Sequence, residues 1–97
     1  MHIKFTDDAE ADLHDIKKHL DVHAGRTIST TVLRDIKNRI NELIHTPHMG
    51  RKYPDNPLYR AVGVHRYLAF YKVNEENNVI EIFRVLHSAR NIAEHLE

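Results

Sequence analysis

Val79-Ile80-Glu81-Ile82-Phe83-Arg84-Val85-Leu86 is the stretch that decides the fold. Its β-branched and aromatic side chains make it the strongest strand signal in the chain. One face carries Ile80, Ile82, Arg84 and Leu86; the other carries Val79, Glu81, Phe83, Val85 and His87. Both are largely apolar, so alternation does not say which meets a core. Upstream, Asn74-Glu75-Glu76-Asn77-Asn78 is a polar turn. Before it, residues 66–73 and 58–63 read as two further strands, rich in aromatic and β-branched residues. Three strands in succession with short turns form an antiparallel meander. Downstream, Ser88 can cap a closing helix whose stripe is Ala89, Ile92, Ala93 and Leu96.

The N-terminal half has a different period. His2 to Phe5 alternates as a short strand, and Asp7 with Glu10 has capping-box spacing. Ala9, Leu13, Ile16 and Leu20 then make one helical stripe, with Gly25 as its stop. A second helix starts near Thr27 or Ser29. Its stripe is Ile28, Val32, Ile36, Ile40 and Leu43, widened by Leu33 and Ile44. It should end around His45, because Thr46 precedes Pro47 and a residue before proline avoids the helical region. Residues 47–57 hold all three prolines and read as a loop. The order is β-α-α-β-β-β-α, an α+β fold in which a helical hairpin buries its stripes on an antiparallel sheet. At 97 residues the chain is one domain, 1–97.

Composition narrows the function. There are 14 Lys and Arg, 14 Asp and Glu, nine His and no Cys. Without cysteine there is no disulfide scaffold, no thiolate nucleophile and no Cys-built zinc or iron–sulfur site. The neutral balance speaks against dependence on a polyanion, which needs an excess of cations. No apolar run approaches the roughly 18 residues of a membrane span. The N-terminus lacks a signal-peptide pattern, so the expected location is the cytoplasm.

Chemistry-bearing residues gather near the last strand. Arg84 and His87 end it, Arg90 falls in the first turn of the closing helix, and Arg60 on the first meander strand could be brought near. Such a group could hold an anion and move protons. Equally, Arg84 could be a structural cation paired with a carboxylate across the sheet, and His87 a strand-end hydrogen bonder. Tyr67 and Tyr71, four apart, share a face and suit packing or a protein partner. His19 and His23 have a helical metal spacing but no further ligands, so no metal and no cofactor is expected. No phosphate-binding loop or dinucleotide fingerprint occurs.

Taken together, the chain resembles the RelE/ParE superfamily of bacterial toxins from type II toxin–antitoxin modules. The likeness rests on Ala9, Asp12, Leu13 and Ile16 in the first helix, then Leu43, Pro47, Gly50 and Arg51, then Arg60, Tyr67 and Tyr71. Its most specific piece is Arg84-Val85-Leu86-His87-Ser88-Ala89-Arg90, similar to the ParE-type Arg-Val-Leu-His signature.

The resemblance implies one of two activities. RelE-like members are metal-independent endoribonucleases that cut messenger RNA on the ribosome. Here Arg60 and Arg84 would steady the phosphate and His87 would move the proton. ParE-like members inhibit DNA gyrase without those nuclease residues. A third alternative is an inactive relic that only binds antitoxin. The signature, the neutral charge and the lack of a tyrosine beyond Tyr71 lean towards ParE. Either kind is held by a cognate antitoxin. Its partners would be that antitoxin and gyrase, or alternatively ribosome and messenger RNA. Arg60, Tyr67, Tyr71, Arg84, His87 and Arg90 are the candidate contact residues.

Overall fold

The computed structural model describes residues 1–89. Its elements are β1 (His2–Phe5), α1 (Asp7–His23), α2 (Arg26–Glu42), β2 (Arg51–Lys52), β3 (Arg60–Val64), β4 (Tyr67–Asn74) and β5 (Val79–His87). They form a five-stranded sheet in the order β1-β5-β4-β3-β2, with the two helices packed on it. This is the expected α+β architecture. The meander β3-β4-β5 is antiparallel, but β1 joins β5 in parallel, so the sheet is mixed. The closing helix expected after Ser88, and Arg90 within it, lie outside the described residues.

Several boundaries move for local reasons. Thr6, not Asp7, caps α1: its Oγ1 accepts from the Ala9 N–H at 3.0 Å. Asp7, Asp8 and Glu10 then sit in the first turn, where carboxylates favour the dipole. Only Ala24 and Gly25 separate the helices. Gly25, at φ +94°, adopts a left-handed backbone that side chains resist, so α2 starts at once at Arg26. Strand β2 forms inside the expected loop, by pairing Arg51 with Ala61 and Lys52 with Arg60. Two residues are too few for periodicity to reveal.

The main core lies between helices and sheet. Ala9 and Ile16 of α1 and Val32, Ile36 and Ile40 of α2 meet Val62, Ala69, Tyr71, Ile80, Ile82 and Val85. The α2 stripe is turned slightly from expectation: Ser29 is 1% exposed and Ile28 is 52% exposed. The other face holds a smaller cluster of Tyr59, Phe70 and Leu86, flanked by Tyr53, Ala61, Leu68 and Phe83. Lys72 stands over the rings of Tyr59 and Phe83, 4.7 and 4.8 Å from their centroids.

The two-faced character of β5 has a structural cause. Phe70 pairs with Arg84 while Tyr71 pairs with Ile82, so Phe83 is the extra residue of a bulge. Alternation is broken there. Val85 joins Ile80 and Ile82 in the main core, and Leu86 goes to the opposite cluster.

Candidate functional site

The site begins where β1 leaves the sheet. The Thr6 N–H donates to the Ile82 carbonyl at 3.0 Å, and its hydroxyl donates to the Phe83 carbonyl at 2.7 Å. These bonds aim α1 along the edge of β5 that β1 no longer covers. Asp12, less than two turns into α1, thereby reaches the bulge. Its Oδ2 accepts from Arg84 Nε at 2.7 Å and from the Val85 N–H at 3.0 Å; its Oδ1 accepts from Arg84 Nη2 at 2.9 Å. Asp12 is 8% exposed. This carboxylate does two jobs at once: it satisfies an edge N–H and fixes the guanidinium in a bidentate fork. The Asp12 hydrogen bond holds the Arg84 proton above its ordinary affinity, against the opposing effect of burial.

Beside this pair runs a cleft of about 360 Å³ between α1 and the ends of β4 and β5. Asp15 and His19 line it from the helix, Tyr67 and His87 from the sheet. Tyr67 and His87 are direct partners in the β4–β5 register, with rings edge to face at 5.5 Å. Burial pushes the Tyr67 phenol up, so it stays a hydrogen-bond donor. His87 Nδ1 accepts from the Ala89 N–H at 3.1 Å. The neutral ring therefore carries its hydrogen on Nε2. The cleft can offer a phenol O–H, an imidazole N–H and a carboxylate to a partner.

Arg60 lies elsewhere. Its Nη1 donates to the carbonyls of Gly50 and His48, at 2.8 and 3.2 Å. The buried Tyr71 hydroxyl donates to the Pro47 carbonyl and accepts from the Gly50 N–H, both at 2.9 Å. Arg60 and Tyr71 thus pin the loop after α2. Gly50 packs against the Tyr71 ring with no room for a Cβ.

The expected grouping of Arg60 with Arg84 and His87 is not assembled. Arg60 faces Tyr71 and His87 faces Tyr67 on β4, four residues apart. That is roughly 13 Å along the strand, and β3 and β5 flank β4 on opposite sides. Arg84 is a structural cation paired with a carboxylate, as the alternative had it, but the partner is Asp12 on helix α1 and not a residue across the sheet. Nothing in the spacing of the two, 72 positions apart, connects them. The His19 and His23 rings lie 4.4 Å apart between centroids, tilted by 40°. Among the described residues no three carboxylates or imidazoles converge as metal ligands.

A helical hairpin over this five-stranded sheet is the fold of RelE/ParE-type toxins. The ParDE toxin–antitoxin system of P. aeruginosa is similar at 25% identity, with a TM-score of 0.77 over 90% of this chain and 95% of that one. The intact E. coli RelBE complex is similar in fold, at 16% identity and a TM-score of 0.64, covering 92% and 98%. The RelBE2 complex of Mycobacterium tuberculosis shows the same fold at 20% identity and 0.63, covering 89% and 95%. The family model of the ParE toxin of the type II toxin–antitoxin system parDE matches residues 3–92, and the chain belongs to that family. No curated protein matches it. No helix among the described residues is long and apolar enough to cross a membrane.

Proposed function

We propose that this protein arrests growth by inhibiting DNA gyrase, as a cytoplasmic toxin that binds its target without catalysing a reaction and is neutralised by a cognate antitoxin. One observation carries the choice against a nuclease. Arg84 is held in both forks of Asp12 at 2.7 and 2.9 Å, so its charge is already matched. Cutting a phosphodiester by 2′-hydroxyl attack needs uncompensated cations at the phosphate, with a base and an acid close by. Here Arg60 is turned to a loop, and His87 lies beside Tyr67 at the other end of β4, apart from Arg60. The family match and the ParDE neighbour support the same choice.

Two assays run side by side test it. Purified protein should block supercoiling by gyrase and leave transcripts intact in a translating extract. Unchanged supercoiling together with cleaved messenger RNA would replace this reading by the ribosome-dependent nuclease. That second reading has one feature in its favour, the His87 Nε2 hydrogen and the Tyr67 phenol in one cleft. It predicts that His87→Ala abolishes cutting.

A further inference from the structure

His19 and His23 differ from the other histidines for which the structure records a contact. His48 has the Glu75 carboxylate as its partner, His65 has that of Asp35, and His87 accepts from the Ala89 N–H. His19 and His23 are exposed and have no ion-pair or hydrogen-bond partner among the described residues; their rings lie against each other. They stand one turn apart at the end of α1. Spacing alone, with no further ligand, predicts no metal there. The ring geometry changes that reading.

The separation of the rings sets the bite of the pair. With a metal–nitrogen bond of about 2.0–2.1 Å, an imidazole centroid sits about 3.2 Å from the ion. Two such rings at a right angle have centroids about 4.5 Å apart, and at a tetrahedral angle about 5.2 Å apart. The observed separation is 4.4 Å. It fits the right angle of a square-planar or tetragonal centre, the geometry of copper(II) and nickel(II), and not that of tetrahedral zinc. The pair forms a two-point chelate and leaves the other positions to water. It needs no third converging side chain, and none is found among the described residues.

The local field has the right sign. His23 is the last residue of α1, where the helix dipole presents its negative end and favours a cation. Asp15, exposed one turn before His19 and lining the same cleft, adds a carboxylate charge on that side.

We infer that His19 and His23 chelate one tetragonal divalent ion, copper(II) or nickel(II), through one nitrogen of each ring. The chelate clamps the last turn of α1. Because His19 also lines the cleft beside Tyr67 and His87, the ion stands at the border of that cleft. The site does not depend on gyrase being the target.

The test uses ¹⁵N-labelled full-length protein carrying His2→Ala in every arm, because an amino-terminal Met-His can itself chelate copper. Substoichiometric copper(II) should broaden amide signals in a zone centred on residues 19–23. Calorimetric titrations with copper(II) alone and nickel(II) alone should each give one site, with copper the tighter. His19→Ala and His23→Ala should each weaken binding by more than about tenfold, at least what loss of a supporting group costs a metal site. Both changes are at exposed positions, and the metal-free spectra should match the parent outside α1. Binding of one ion alone at this pair upholds the site and names its occupant. Each of the following overturns the inference: broadening centred on His45 and His48 or elsewhere; unaltered affinity in either variant; tighter binding of zinc than of copper(II); or no binding of either ion.

Discussion

Arg84 and Arg60 lie on one sheet and are held in opposite ways. Arg84 spends its charge on Asp12, in a setting where the two side chains are 20% and 10% exposed. Arg60 binds the neutral carbonyls of His48 and Gly50 and keeps its net charge. The first is an ion pair joining chain segments 72 positions apart; the second is a peg through a loop ten residues away. Residue type alone made them equal candidates for anion binding. Their partners separate them. One closes the contact between helix α1 and strand β5, and the other fixes the loop that follows α2.

The largest effect expected from breaking this comparison is at the ion pair. Asp12→Ala leaves the Arg84 guanidinium and the Val85 N–H without their acceptor, and should cost about 3 kcal/mol. Urea unfolding measures it, and a loss below about 1 kcal/mol would mean that water replaces the carboxylate. Next is Tyr71→Phe, which removes a buried hydroxyl serving Pro47 and Gly50. A loss of about 2 kcal/mol is expected in the same measurement. Arg60→Gln should cost about 1 kcal/mol, since only the Gly50 carbonyl belongs to a buried residue and the His48 carbonyl lies at an exposed one.

A double-mutant cycle sharpens the contrast. Arg60→Gln and Tyr71→Phe act on the same Gly50 peptide, so their losses should be coupled by about 0.5 kcal/mol or more. Asp12→Ala, with no shared partner, should add to either within about 0.5 kcal/mol.

The smallest effect is a slope with pH. Burial raises the Tyr71 phenol above its ordinary value of 10.0, although the Gly50 N–H and the charges of Arg60 and Arg39 act the other way. Between the unfolded and folded values the native state holds a proton that the unfolded chain gives up. That share of stability is therefore complete below pH 10 and falls as pH rises further. Tyr67, raised for the same reason, adds to the decline. Unfolding curves at stepped alkaline pH should show a shallower decline in Tyr71→Phe, and an unaltered slope would assign the titration to other groups.

The architecture was legible because long segments obey one period at a time. Ile36 and Ile40 are each 1% exposed, as the 3.6-residue stripe requires. Strands β4 and β5 lie within a residue of the expected bounds. What stayed hidden was short or cooperative. The two residues of β2 have no period, and the bulge at Phe83 reverses the faces of Val85 and Leu86 without any breaker residue. At the cap, Thr6 outcompeted Asp7 because its hydroxyl also reaches the Phe83 carbonyl, a tertiary bond no local spacing encodes. The site was half legible. Arg84 and His87 were found at a strand end. The separation of Arg60 follows from register, which β-branched composition does not set.

The parallel pairing of β1 with β5 has a consequence for how the protein comes into being. His2 is in register with Val79, and Phe5 with Ile82. The first described strand thus has the last one as its sheet neighbour. A nascent chain halted anywhere before that point has an N-terminal segment with no ladder to join and an Asp12 with no guanidinium to hold. Contacts of such long sequence separation form late, after the local hairpins. The protein thus reaches its working shape only once β5 is available to pair with β1 and Arg84 to meet Asp12.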